Sequence, residues 1–360
     1  MPRIETMTKR VTIAIRPLAT MGVGSYATPG WMFAFRSAMR DGRAGAEDIE
    51  EAFDDATRVV VADQIEAGVD ILSDGELRRQ RFVYEMYDRL TGIERVPAGR
   101  RLGVPGYDMA PSFVTNERIT APNGLGLVEE YLALRRIAPD HRLKMAMPGP
   151  LTFANNICPV PAYGERADGI DSLLADLTAI IGAELSALNE AGADFIQLDE
   201  PGFANPPNGL SMAAGAVAIN QALAHAEGIT AVHVCFGNNA SRPFVRRDFA
   251  RLMPAMGDLK CDLLLLEFAN REMADLTFLP VLAEDHAIAA GVIDVKSFHV
   301  ETADEVAARI RAVLEVVPAE KLFVTADCGF SAIPRWLARV KLKAMVAGAD
   351  IVRRELGHSG

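Results

Sequence analysis

Eight short apolar runs, opening near Val11, Val69, Leu143, Asp194, Thr230, Asp262, Ala287 and Leu322, do most to narrow the folds open to this chain. Each is of strand length, and stretches of helical periodicity separate most of them. Between the first two runs, Glu47 to Glu66 places Ile49, Phe53, Ala56, Val60 and Ile65 at helical spacing and stops at Gly68. Between the third and fourth, Leu173 to Leu188 is amphipathic in the same way and stops at Gly192. Parallel strands alternating with helices imply an α/β fold, and eight such units imply a (β/α)8 TIM barrel. With 360 residues, 50% of them hydrophobic, residues 1–360 suffice for one such barrel as a single catalytic domain.

An internal echo supports a repeated unit. Glu66-Ala67-Gly68-Val69-Asp70-Ile71 recurs as Glu190-Ala191-Gly192-Ala193-Asp194-Phe195, and less fully as Val346-Ala347-Gly348-Ala349-Asp350-Ile351. Glycine suits the left-handed position just past a helix, so all three copies are expected to be helix-to-strand turns. One stretch breaks the regularity: residues 77–142, after the second strand, are rich in Arg, Pro and Gly and carry shorter patterns at Ser112–Ile119 and Leu125–Ile137. They are expected to form an inserted, lid-like segment over the mouth of the core. Its run Arg78-Arg79-Gln80-Arg81-Phe82 is expected to be a solvated basic patch, with reception of an anionic substrate as the alternative.

Polar residues concentrate where the apolar runs end: Asp74 and Glu76, Asp199 and Glu200, His233 and Cys235, Glu267, Asp294 and Lys296, Asp327 and Cys328. In a barrel of this kind the C-terminal strand ends converge on one cavity. His233 and Cys235 stand two apart at the end of a strand, so they share a face and can bind one metal together. Glu267 and Cys328 end two later runs and complete four zinc-type ligands of mixed N, S and O character. For His233 and Cys235 alone the competing reading is ordinary, because buried cysteines and satisfied histidines are common in cores. Cys158, among prolines, and Cys261, opening a strand, are expected to be structural. The loop Met21-Gly22-Val23-Gly24-Ser25-Tyr26 lacks the spacing of a phosphate-binding P-loop.

Charge and cysteine usage exclude other classes. A net charge of -11 argues against a nucleic-acid or membrane-surface partner and for a small molecule. Met1 to Arg10 lacks the apolar core of a signal peptide, and no run is long enough to span a bilayer, so a cytoplasmic address is expected. The 4 cysteines are too few for a disulfide scaffold and are free for metal in a reducing compartment. Two thiolates and a carboxylate overcompensate a divalent ion, which makes such a zinc a poor activator of water but leaves a bound thiol nucleophilic. Thiol alkylation fits better than hydrolysis.

The chain also resembles the cobalamin-independent methionine synthases, specifically their C-terminal catalytic barrel. The matching motifs are Gly24-Ser25-Tyr26, Ser73-Asp74-Gly75-Glu76, Gly149-Pro150-Leu151-Thr152, Ile196-Gln197-Leu198-Asp199-Glu200-Pro201, His233-Val234-Cys235, Glu267 and Cys328-Gly329-Phe330. The resemblance implies Zn2+ on His233, Cys235, Glu267 and Cys328, with homocysteine held by Ser25, Glu76 and Asp199. It also implies methyl transfer to that thiol, as in 5-methyltetrahydropteroyltriglutamate-homocysteine S-methyltransferase. Glu76 and Asp199 suit the ammonium of an amino-acid thiol independently of the resemblance, although Asp199 and Glu200 are also residues that cap loops.

The departures from the family lie on the methyl-donor side. The large enzymes follow Gly149-Pro150-Leu151-Thr152 with a pterin-stacking tryptophan, where this chain has Phe153-Ala154-Asn155-Asn156. Pro201 is followed by Gly202-Phe203-Ala204-Asn205, and the family's D-x-H-S histidine is replaced in Asp294-Val295-Lys296-Ser297. Lys296 is accordingly a candidate catalytic residue beside Asp199, as an acid toward the leaving group or a fixed cation; the ordinary alternative is an ion pair with Asp294 or Asp327. A methylated corrinoid or a methyl-donor protein then becomes an alternative donor, and assembly into a homo-oligomer is compatible with the sequence. Two other readings compete: a zinc enzyme resembling epoxyalkane:coenzyme M transferase, and a metal-free lyase resembling uroporphyrinogen decarboxylase that uses Arg78, Arg79 and Arg81 on substrate carboxylates.

Overall fold

The structure is a computed structural model that describes residues 15–79, 83–99, 111–164, 166–207, 209–238 and 242–358. Met1 to Arg10, Val11 and Arg81 lie outside these residues. Among them the chain is a mixed α/β fold. Its strands are β1 (Ile71–Leu72), β2 (Thr91–Val96), β3 (Ser112–Thr120), β4 (Arg142–Leu143), β5 (Met145–Pro148), β6 (Ile157–Pro161), β7 (Phe195–Asp199), β8 (Ile229–Val234), β9 (Leu263–Glu267), β10 (Ala287–Ile293) and β11 (Leu322–Ala326).

One parallel sheet has the order β11-β10-β9-β8-β7-β5, and β1 pairs in parallel with β4. Only Lys144 separates β4 from β5, and its backbone N–H donates to Leu72 O at 2.8 Å. Thr20 bridges Val324 on β11 and Met21 bridges Ile71 on β1, both in parallel. Following these pairings from one segment to the next therefore leads back to the start. Thr20–Met21 holds the position between β11 and β1; of the run expected from Val11, residues 11–14 lie outside the described residues, and Ile15 and Arg16 are not in a strand.

Strand alternation divides the apolar residues in two. Met21, Ile71, Phe195, Ala231, Leu263, Leu265 and Ala289 belong to one buried cluster, whereas their neighbours Leu72, Ile196, Val232, Leu264, Leu266 and Ala290 belong to a second that includes the helices. Successive side chains of a strand face opposite sides, so the first cluster is the side the strands turn toward one another. Counting two residues onward from it reaches Gln197 and Asp199 on β7, His233 on β8 and Glu267 on β9. The polar residues thus continue the inner face beyond an apolar plug.

Helices Ala46–Ala67 and Arg166–Glu190 fall where the periodicity predicts, and Gly68 and Gly192 end them at φ 81° and 98°. The third echo is different, because Gly348 lies inside the helix Arg335–Glu355. Packing explains it. A Cβ at Gly348 would stand 2.5 Å from Val306 Cγ1 and 3.0 Å from Ala303 O, so the glycine lets this helix close on Ala303–Leu314.

Residues 77–142 contain β2, β3 and the helix Leu127–Ile137. The helix packs on Ala46–Ala67, Arg166–Glu190 and β5, whereas β2 and β3 pair antiparallel and β3 takes β6 in parallel as a third strand. No helix among the described residues is long and apolar enough to cross a membrane.

Gly348→Ala should lower stability. Overpacking costs about 1–3 kcal/mol, which exceeds the helix-propensity gain of about 1 kcal/mol from replacing glycine. Denaturant unfolding checks this, and a neutral or raised midpoint would contradict the close-packing account.

Candidate metal and substrate site

His233 is fixed by its neighbour strand: its Nδ1 lies 3.3 Å from Leu265 O on β9. A ring nitrogen that donates to a backbone carbonyl leaves the other nitrogen as the lone-pair donor. That atom, Nε2, is buried and without a hydrogen-bond partner. Cys235 follows directly on β8 and Cys328 follows β11, and the donor atoms of His233, Cys235 and Cys328 all lie within 4.8 Å of one another. Three of the four expected ligands are thereby brought together.

Glu267 is outside that group. Its side chain is fully buried, Oε2 accepts from Lys296 Nζ at 2.7 Å, and Oε1 is buried with no partner. The expected partners of Lys296 therefore need correction: Asp294 takes only its backbone N–H, and Asp327 is engaged elsewhere. An orphaned imidazole nitrogen, an orphaned carboxylate oxygen and two sulfurs form the donor set that a soft divalent cation would satisfy.

A hydrogen bond from Cys235, with help from His233 and Lys296, holds the Cys328 thiol well below its ordinary range against the effect of burial. The same hydrogen bond, together with burial, pushes Cys235 up. Burial disfavours a charged His233, but Cys328, Asp199 and Glu267 outweigh it and raise the imidazole.

Ser25, Glu76 and Asp199 adjoin this group. A Cβ on Gly329, next to Cys328, would sit 1.9 Å from Ser25 Oγ, and one on Gly24 would sit 2.4 Å from Glu76 Oε1. Glu76 adopts a left-handed backbone, φ 57°, which is costly for a non-glycine residue and is held by Asp74 Oδ1 accepting its N–H at 3.1 Å. Burial raises Glu76 and Asp199, and each also feels nearby charge: Asp199 raises Glu76, while Cys328 raises Asp199. Ser25, Glu76, Asp199, His233, Cys235, Glu267, Cys328 and Lys296 therefore belong to one neighbourhood.

Other polar strand ends are structural. Glu200 accepts from the N–H groups of Leu151 and Thr152 and from Thr152 Oγ1, which caps the helix Pro150–Ala154. Asp327 accepts from Phe268 N, Ala269 N, Asn270 N and Asn270 Nδ2, clasping the turn after Glu267 to the residue before Cys328. Phe153 is buried against Tyr87, with ring centroids 5.6 Å apart. Cys158 is in β6, and Cys261 is buried with His286 Nδ1 near its sulfur and carbonyl.

For Arg78 and Arg79 the expected solvated patch is corrected, and 80–82 lie outside the described residues. Arg79 is 3% exposed, with Nε donating to both oxygens of Glu130 and one terminal nitrogen to Ala146 O at 2.8 Å. Arg78 pairs with Asp54 at 2.7 Å and with Glu50. Sequence reasoning also passed over Lys144 and Gln197, both fully buried. Their signal was available: a lysine inside an apolar run, and a glutamine two before Asp199 on the same strand face.

A family described as the catalytic domain of cobalamin-independent synthase matches residues 18–350. The methionine synthase of Saccharolobus solfataricus is 32% identical over 95% of this chain and 97% of its own length. That of Sulfurisphaera tokodaii is 34% identical over 95% of each. A solved B12-independent methionine synthase from Shewanella sp. W3-18-1, in complex with selenomethionine, is similar at TM-score 0.78 and 27% identity, over 95% of this chain and 99% of that one.

Asp74 gives a pH test. Burial, with Glu130 nearby, pushes its carboxyl from 3.8 to about 6, and Oδ2 is buried without a partner. The folded state keeps a proton that the unfolded chain has lost, so this contribution is full below 3.8 and disappears as pH rises through about 6. Asp74→Asn keeps a neutral group and the acceptor for Glu76 N–H at every pH. Its stability relative to the parent should therefore grow between pH 4 and 7, and unfolding midpoints that differ equally at both would refute the assignment.

Proposed function

The chain belongs to the catalytic-domain family of cobalamin-independent synthases, and from that premise we propose that it is a zinc-dependent methyltransferase that methylates the thiol of homocysteine. In this reading the cycle of parallel pairings is a single (β/α)8 barrel, with 77–142 contributing a lid. The observation that carries the proposal is the convergence of His233, Cys235 and Cys328 within 4.8 Å, beside an unpartnered Glu267 oxygen. His233, Cys235, Glu267 and Cys328 would hold the ion. Zinc bound there would supply Lewis acidity toward a soft thiol and favour its deprotonated, nucleophilic form.

The chain's own residues do the rest. Glu76 and Asp199 receive the substrate ammonium and, with Ser25, orient the thiol toward the ligands, so that reaction proceeds from a fixed geometry. The same two carboxylates repel a sulfonate, which favours an amino-acid thiol over coenzyme M. Arg78 and Arg79 are occupied by Asp54, Glu50 and Glu130, which deprives the metal-free lyase reading of its cations among the described residues. Lys296, held on Glu267, is a fixed positive charge at the site and suits an anionic donor or leaving group. The selenomethionine bound by the Shewanella relative is a seleno-analogue of a methylated homocysteine, consistent with this product.

The donor side differs from that of the large synthases. Phe153, which follows Gly149-Pro150-Leu151-Thr152 where the large synthases continue to a stacking tryptophan, is buried, and Lys296 stands in place of their histidine. Loss of aromatic stacking removes about 1 kcal/mol, and loss of a positioned acid about a hundredfold in rate. A methyl group on a better leaving group, such as a methylated corrinoid, or one delivered by a donor protein, meets those limits.

Two measurements test the proposal. Elemental analysis should find one zinc per chain, with Cys235→Ser and Cys328→Ser each losing most of it; full retention in both variants refutes the ligand set. Steady-state assays with homocysteine should find free methyltetrahydrofolate a poor donor, at least about a hundredfold below a methylated corrinoid. Comparable turnover with the two donors would overturn the donor inference.

A further inference from the structure

Lys144 presents a buried ammonium whose acceptors are all neutral. Its side chain has no exposure, and Nζ donates to Gly22 O at 2.7 Å, to Val23 O at 2.9 Å and to Gln197 Oε1. Three acceptors use all three of its hydrogens. A charge buried among neutral partners is expensive, so it depends on opposite charge farther off. Burial pushes Lys144 down to about 7, while Asp199 and Glu76 act in the opposite direction.

Gln197 connects the two sides. It is fully buried, and its Nε2 donates to Asp199 Oδ1 at 2.6 Å and to Val23 O at 2.8 Å. An amide can be turned end for end with little change in shape, but an ammonium can only donate. Lys144 therefore requires the carbonyl end of Gln197 to face it, and the NH2 end must then face Asp199. With the amide reversed, a carbonyl oxygen would confront the Asp199 carboxylate and an NH2 would confront the ammonium.

We propose that Lys144, acting through Gln197, is a positioning residue for recognition of the amino group of the thiol substrate: the pair immobilises Asp199 by one oxygen and leaves Oδ2 to face the substrate ammonium. This rests on the assignment of Glu76 and Asp199 to that ammonium. It makes Lys144 and Gln197 determinants of which thiol is accepted, and neither touches the substrate.

The test compares homocysteine with 4-mercaptobutyrate, which keeps the thiol and carboxylate and lacks only the ammonium. Binding to the zinc-loaded protein is measured by calorimetry for the parent chain, Lys144→Met and Gln197→Met, each checked for folding by thermal melting. The parent should prefer homocysteine by at least about tenfold, and both variants should lose about tenfold of that preference while binding 4-mercaptobutyrate within about twofold of the parent. If Lys144→Met does not fold, Gln197→Met carries the comparison. Variants that keep the parental preference, or that lose affinity equally for both thiols, overturn the positioning role. A parent chain without any preference overturns the assignment of Glu76 and Asp199 itself, a result visible before either variant is made.

Discussion

Taking a charge out of water costs several kcal/mol unless a neighbouring group answers it, and the inner strand ends of this protein gather many charges. They are supported in different ways. Arg79 lies against Glu130 and within 3.9 Å of Glu76, Lys296 against Glu267, and Asp327 against a row of backbone N–H groups. Where the answering stops, the site begins: His233 Nε2 and Glu267 Oε1 are buried and unmatched. Other buried atoms also lack partners, Asp74 Oδ2 among them, but these two share the neighbourhood of Cys235 and Cys328, where an added cation would meet several donors at once.

The plug of Met21, Ile71, Phe195, Ala231, Leu263 and Leu265 sets the depth at which this can happen. Below it the inner faces meet through apolar side chains; above it the same alternation delivers Gln197, Asp199, His233 and Glu267. Moving a strand by one residue would exchange its polar end for its apolar face. The chemistry of the site and the packing of the core are thus two readings of one register.

Much of this was legible along the chain, because periods of 2 and 3.6 and the ends of apolar runs are local properties. Most of the strands, the long helices and the neighbourhood of His233, Cys235, Glu267 and Cys328 follow from them. What was not legible depends on which distant segment arrives. Arg79 reads as part of a surface patch until Glu130, 51 residues away, comes to lie on it, and Lys144 finds its carbonyls 121 and 122 residues away. Gly348 shows the opposite error: its local sequence copies a turn, but Val306 requires a glycine there for closeness between helices. Lys296 was given the wrong carboxylates: Asp294, two residues away, takes only its backbone N–H, and the ammonium reaches Glu267 at the end of the neighbouring strand β9.

The helix Arg335–Glu355 touches both ends of this design. Near its C-terminus, the buried Arg353 donates to Leu18 O and to Asp70, where the cycle of strands closes. Near its middle, the fully buried Lys341 donates to Asp294 O, His299 O and Glu301, fastening the loop that carries Lys296. During synthesis this helix emerges after every described strand. Until then the first and last strands have no such clamp and the Lys296 loop has no anchor, so a growing chain holds its thiols in a site that is not yet fastened. Completion of one helix therefore fastens both the closure of the strand cycle and the Lys296 loop, so two distant parts of the fold depend on the last described segment to be made.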